Sequence, residues 1–465
     1  MGARRRLAIA LAALCAWPAL ASAHPVLVAS SPALGTTAAA PPREVRLAFA
    51  VAVEAELLRA QVTGPGGEVV SGAPRLEAGD PSVVVVPVVA GRPGRYLARW
   101  RVLSGDGHPG IGGGAFAVGT PAAPLPRTTR GGGEDHRPLN VLARLLVLTA
   151  PAALLGLAVL RAWVVGPAWR SGGLRPPGRP VADGCRDRVG AALAGAASGW
   201  WRAWGAAVAA GAAGLALAPV ALLRSLDAGA GDLPDLLLRT RWGASWLVQA
   251  GALLAVAAAG SALRASPAAR APAPGAAWGV ALVAPPAVAL GAVSWAGHAS
   301  SGADRAVDIG ADVLHGWATA AWLGGLLGIM VVLVPALRRL DGDDRLRLAA
   351  ASVVRFSSLA VGAVAVLAVT GVYRALAELS SLEDLARTPY GRALAVKLGI
   401  FAAMLAAGAY NRLVLHPRLE RAALGLEPDD RGAAARLRAS VCAELALGLA
   451  LMTAVAVLVS LAPPA

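Results

Sequence analysis

The chain has 465 residues, 56% of them hydrophobic and 15% charged, with a mean hydropathy of +0.59. That is too apolar for a water-soluble protein of this length and calls for several runs of about 18 or more apolar residues. The formal charge of +15 is carried almost wholly by arginine, with Lys397 the only lysine, and the arginines cluster in short loops between apolar runs. That arrangement points to membrane topology and argues against a nucleic-acid partner.

Residues 1–23 read as a secretory signal. Arg4, Arg5 and Arg6 form its basic start, Leu7 to Leu20 its short apolar stretch, and Ala21-Ser22-Ala23 its cleavage site. Cleavage there makes His24 the first residue of the mature chain. A terminal histidine offers its α-amine and ring Nδ1 as a chelating pair, two nitrogen donors suited to Cu(II). The amine has a reference pKa of about 7.7–8.0, so it gives up its proton readily. Pro25 has no N–H, so its amide cannot join the ligand set. The three cysteines are Cys15 in the leader, Cys185 in an arginine-rich loop and Cys442 in an apolar run. No CxxC occurs, which leaves no basis for a disulfide framework or a thiolate metal motif. The four methionines are scattered.

Residues 24–120 read as an all-β domain. Val45, Leu47 and Phe49 alternate, as do Leu58, Ala60 and Val62, and Tyr96, Ala98, Trp100 and Val102; a β-branched run covers 82–89 and a last strand begins at Ala115. About seven short strands separated by Gly and Pro turns suggest a small sandwich or barrel. Between the last two lies Ser104-Gly105-Asp106-Gly107-His108-Pro109. In an extended segment, Asp106 and His108 point to the same side. With the His24 amine and ring they make an N/N/N/O set of the tetragonal kind that Cu(II) favours.

The HPVLVASSPALG run at residue 24 and the SGDGHPGIGGGAFAV run near residue 110 resemble the CopC-like periplasmic copper-binding proteins. The resemblance implies a Greek-key β-barrel holding one Cu(II), with His24, Asp106 and His108 as the matching ligands. A further methionine-rich Cu(I) site found in some members is not expected, because no Met lies between residues 2 and 329.

Residues 121–138, rich in Pro, Gly and Arg, read as a linker, with His136 a solvated residue. Residues 139–465 then carry eight apolar segments, near 140–166, 203–223, 243–263, 276–297, 312–337, 355–376, 392–414 and 438–461. Each is close to the length of about 20 residues that spans a bilayer. With the β-domain outside, the loops on the inner side hold about nineteen arginines and the outer loops about seven, in keeping with the positive-inside rule. The expected architecture is therefore an all-β domain followed by an all-α multi-pass bundle. It would lie in the inner membrane, with its amino-terminal domain on the periplasmic side.

His298 falls at the outer end of the fourth segment and His315 about one turn into the fifth. Asp308, Asp312 and His315 share one face if that helix starts early. Pro285-Pro286 should kink the fourth helix and free nearby carbonyls, and Trp295, Trp317 and Trp322 flank the group at interfacial depth. His298, His315 and Asp312 are thus candidate ligands of a membrane-face metal site. Deeper in the bundle, Glu444 reads as a proton relay, Lys397 as a snorkelling cation, and His416 as either an exit ligand or a loop residue. The runs DVLHGWATAAWLGGLLGIMVVLVPAL, VVRFSSLAVGAVAVLAVTGVYRAL, TPYGRALAVKLGI and AYNRLVLHPRLE resemble the CopD-like copper-resistance membrane proteins. That resemblance implies copper handling and movement of copper inward.

The resulting expectation is copper binding and transport, not catalysis, with copper ions, the bilayer and other copper-handling proteins as partners. No P-loop and no ion-pumping ATPase motif is present, so transport would be secondary or passive. Three other readings stay open: a copper sensor or sequestering protein, a haem electron-transfer protein using His298 and His315, and an oxygenase built on a histidine brace.

Overall fold

The computed structural model describes residues 25–89, 91–105, 107–119, 138–171, 184–270, 275–297, 305–378, 383–424, 426 and 431–459. The amino-terminal domain is a sandwich of eight strands: β1 (Leu27–Ser31), β2 (Thr37–Ala38), β3 (Glu44–Phe49), β4 (Arg59–Thr63), β5 (Arg75–Glu77), β6 (Asp80–Pro87), β7 (Gly94–Leu103) and β8 (Pro109–Val118). One sheet runs β1-β3-β6-β5 and the other β2-β8-β7-β4. All pairings are antiparallel except β2 with β8.

Alternation builds the core. Val45, Leu47 and Phe49 of β3 face Tyr96, Ala98, Trp100 and Val102 of β7, and all seven are buried. Trp100 meets Phe49 edge-on at 6.3 Å, and Tyr96 stacks on Phe116 at 5.3 Å. The strands outside the runs read from the sequence are β1, whose Leu-Val-Ala-Ser-Ser shows no alternation of burial, and β2 and β5, which have two and three residues. Neither β2 nor β5 is long enough to display a period of two. The last strand also begins earlier than Ala115. Its glycine-rich start pairs with β7 from Leu103↔Pro109 onward, so β7 and β8 form one long hairpin closed by residues 104–108.

Among the described residues, eight helices are long and apolar enough to span a membrane: α1 (Pro138–Arg170), α2 (Cys185–Ser225), α3 (Arg241–Ala265), α4 (Ala276–Ala296), α5 (Arg305–Leu337), α6 (Gly342–Leu376), α7 (Pro389–Ala423) and α8 (Arg438–Leu458). Several overrun the apolar segments, because polar and charged residues continue the helix beyond the hydrocarbon. Cys185 therefore opens α2 and is buried, not a loop residue. The helical backbone of α4 runs through Pro285 and Pro286 without interruption. Trp322 is buried in the bundle against Phe401, away from the interface where Trp295 and Trp317 stay partly exposed.

Small residues let the helices approach. A Cβ on Gly156 of α1 would lie 2.3 Å from the Ala320 carbonyl oxygen and from Gly324 Cα of α5. Such backbone contact is how helices gain packing where lipid supplies no hydrophobic drive. Among the described residues, π-helical turns interrupt the α-geometry at Leu160–Val165, Ala320–Gly324, Ile329–Leu333 and Asn411–Leu415.

The sandwich docks on one end of the bundle. Leu57 and Leu103 pack against Leu222, Leu223, Leu226 and Leu236 around the α2–α3 connection. Arg59 reaches both carboxylate oxygens of Asp232 at 3.0 and 3.1 Å, and Arg101 pairs with Asp227. The Arg241 N–H that opens α3 donates to Glu54 Oε1 at 3.2 Å. Burial of Glu54 pushes its carboxyl pKa above the usual value, against the lowering effect of that hydrogen bond.

Candidate metal centre

The β7–β8 turn presents Gly107 and His108 to this docking face. Ser104 clamps it from within: its Oγ donates to the His108 carbonyl at 3.0 Å and accepts the His108 N–H at 3.2 Å. Gly107 N–H donates to the Ser104 carbonyl at 2.9 Å. Gly107 has φ +80°, and a Cβ there would sit 2.2 Å from Trp242 Cδ1 at the start of α3. Turn geometry and close approach both demand glycine. Gly107 and His108 are thus held in a tight turn immediately before β8.

His108 is 6% exposed. Its Nδ1 is buried, while Nε2 lies 2.9 Å from the carbonyl oxygen of Val459, one residue beyond α8. A carbonyl can only accept, so Nε2 carries the proton in this contact. The guanidinium of Arg144, on α1, donates to the same oxygen. Helix ends leave carbonyls without intrahelical partners, and here two different elements satisfy one. His24 and Asp106 lie outside the described residues. What the structure offers toward a metal is therefore one buried imidazole, whose Nε2 faces the bundle. That chemistry fits a Cu(II) ligand.

The second candidate group lies where α5 runs beside α6. The helix begins at Arg305, earlier than the apolar run, so His315 sits nearly three turns in rather than one. The early start joins Asp308, Asp312 and His315 into one polar seam. Tyr373 Oη donates to Asp308 Oδ1 at 2.5 Å, Arg374 pairs with Asp312, and His315 Nδ1 lies 2.9 Å from Thr370 Oγ1. Asp308 is 7% exposed, and its Oδ2 has no hydrogen-bond partner among the described residues. His298 lies outside those residues. Among them, no cluster of three or more His, Cys, Asp or Glu side chains could hold a metal ion.

The sequence reading missed Tyr373, the half-buried partner of Asp308, and also Thr370 and Arg374. The only hint was a run of polar side chains spaced three and one apart near the end of the sixth segment. Farther along the bundle, Asn411 donates to Glu444, which is 2% exposed on α8. His416 is helical, with Nε2 3.9 Å from Glu420, and so is no loop histidine.

Residues 27–119 match the CopC domain family, and residues 350–458, from α6 to α8, match the family Copper resistance protein D. Copper transport protein CutJ of Bacillus subtilis (strain 168) is 27% identical over 461 residues, covering 96% of this chain and 76% of that one. Copper resistance protein D of Pseudomonas syringae pv. tomato is 28% identical over 165 residues, covering 35% of this chain and 51% of the relative. The crystal structure of CopC from Methylosinus trichosporium OB3b is 28% identical, with a TM-score of 0.20, and covers 22% of this chain and 100% of its own. The α6 half of the polar seam and the Asn411–Glu444 pair fall inside the second matched region, whereas Asp308, Asp312 and His315 precede it.

Proposed function

Since the chain belongs to the copper resistance and transport proteins that join a CopC domain to a CopD membrane domain, we propose that it captures Cu(II) outside the membrane and passes copper inward through the bundle. One observation carries this reading: the histidine of the Asp-Gly-His turn is buried at the contact between the two domains. A metal held there lies at the entrance to the helices rather than on a free surface of the sandwich.

In this account the leader is removed after Ala23. Cu(II) is held by the His24 amine and ring, Asp106 and His108. The amino-terminal domain is periplasmic, and the loops rich in arginine are cytoplasmic. The receiving site is the α5–α6 seam, with His298, His315 and Asp312 as donors and Asp308 beside them. The pairing of Asp312 with Arg374 keeps the seam near neutral in the absence of cargo, which suits a polar group inside a membrane. Relatives named for copper transport and copper resistance support the same cargo.

The test is Cu(II) competition titration with EPR on the purified full chain beginning at His24. The control retains one extra residue before His24. One Cu(II) bound in a tetragonal nitrogen-rich site, lost in the control and in His108→Ala, is the expected result. Equal binding in all three would overturn the capture site.

A further inference from the structure

The contact between His108 and the end of α8 has a consequence for how copper is taken up. It rests on the capture reading above. The His108 backbone is pinned by Ser104, and its Nδ1 is buried against the turn. Nε2 is the nitrogen that projects toward the bundle, and it is occupied by the Val459 carbonyl. That oxygen is held in place by Arg144 of α1, so it belongs to a fixed part of the membrane domain and not to a loose tail.

We propose that Cu(II) and the carbonyl of Val459 compete for Nε2 of His108, so that the end of the last membrane helix is a latch on the metal-free β-domain and copper capture releases it. An imidazole nitrogen can hold a proton shared with a carbonyl or a lone pair shared with a metal, but not both. Taking up Cu(II) at Nε2 requires the other neutral tautomer: the Nε2 proton leaves to solvent, Nδ1 takes up one in its place, and the hydrogen bond to Val459 breaks. Other contacts between the domains, among them the leucine cluster, Arg59 with Asp232, Arg101 with Asp227 and Glu54 with the Arg241 N–H, do not involve the metal ligands. They keep the sandwich attached while its turn swings free of α8. Val459 is a positioning group: it sets the state of His108 and does not itself ligate copper.

Linkage fixes the sign of the effect. If the latch and the metal share one nitrogen, copper weakens the latch by the same factor by which the latch weakens copper binding, so a variant that lowers the latched population binds copper more tightly, by up to that factor. Were the Val459 carbonyl instead an outer-sphere support that orients a metal-bound imidazole through its other nitrogen, its loss would weaken binding, by about 10–100-fold. The two cases therefore move in opposite directions.

The experiment compares Cu(II) affinity, by competition with a chelator, in the full chain and in two variants. One ends after Ala456 and lacks the latch. The other, Arg59→Ala with Arg101→Ala, loosens docking by surface changes that leave both cores intact. Both should bind Cu(II) more tightly, by about 2–10-fold, the worth of one ordinary hydrogen bond. A shift in the EPR spectrum of neither variant should accompany this, since the ligand set is unchanged. Unchanged or weaker affinity in the variants, with His108 still required in the parent chain, would overturn the latch alone. A parent chain whose Cu(II) binding ignores His108→Ala would overturn the capture reading beneath it.

Discussion

Gly107 shows how much one residue decides here. It turns the chain with positive φ, and it leaves room for Trp242 against the turn. Gly107→Ala adds about 1–2 kcal/mol of backbone strain and drives a methyl group into the indole. The expected outcome is a lower melting temperature for the full chain in detergent, with weakened docking. Its companion Trp242→Gly should recover part of the docking loss but none of the strain. The motif itself was legible: Asp-Gly-His stands out between two strands, and a histidine there is hard to mistake. The packing of its glycine was not, because nothing in the spacing shows that Gly107 takes a positive φ against Trp242. The partner of His108 was beyond reach as well. Val459 contributes only a backbone carbonyl 351 residues away, and backbone groups leave no trace in residue type.

At the scale of elements, the eight spans and the alternating strands were readable because both follow from periodicity and length. The shortest strands were not, since two or three residues carry no period. The helix ends were misjudged where polar residues extend a helix past its apolar core, and this hid the reach of α5 down to Arg305. The seam then joins Asp308, Asp312 and His315, which stand out in sequence, to Thr370, Tyr373 and Arg374 of α6, which do not. The α7–α8 contact offers a test of how such polar contacts hold the bundle. Asn411 supplies an N–H to the buried carboxyl of Glu444. Asn411→Leu removes that donor and leaves a buried acceptor unsatisfied, a cost of about 1–3 kcal/mol. Thermal unfolding in detergent should show that loss, and Glu444→Leu introduced with it should recover much of it. A double variant as unstable as the single one would contradict this assignment.

For the whole molecule, the arrangement that matters is the sandwich seated on the bundle. Glu54 makes this docking sensitive to pH. Its carboxyl is pushed up from 4.5 chiefly by burial at the contact with Arg241. The docked state thus holds the Glu54 proton more tightly than the undocked chain. Its contribution is greatest below the ordinary carboxylate value and is lost as pH rises through the raised pKa. Spin labels on Val89 and Leu238, both exposed, should report a tighter distance distribution on acidification. Glu54→Gln should flatten that dependence; an unaltered pH response in the variant would assign it to another group.

The central claim is that copper captured by the sandwich crosses the bundle. The most direct measurement is copper accumulation in proteoliposomes carrying the full chain, compared with His108→Ala and with His315→Ala. The account predicts accumulation by the parent chain, loss in His108→Ala because capture fails, and loss in His315→Ala with Cu(II) binding by the β-domain intact. A parent chain that binds Cu(II) yet accumulates no more copper than protein-free vesicles would contradict transport and leave a copper-holding protein anchored by its helices.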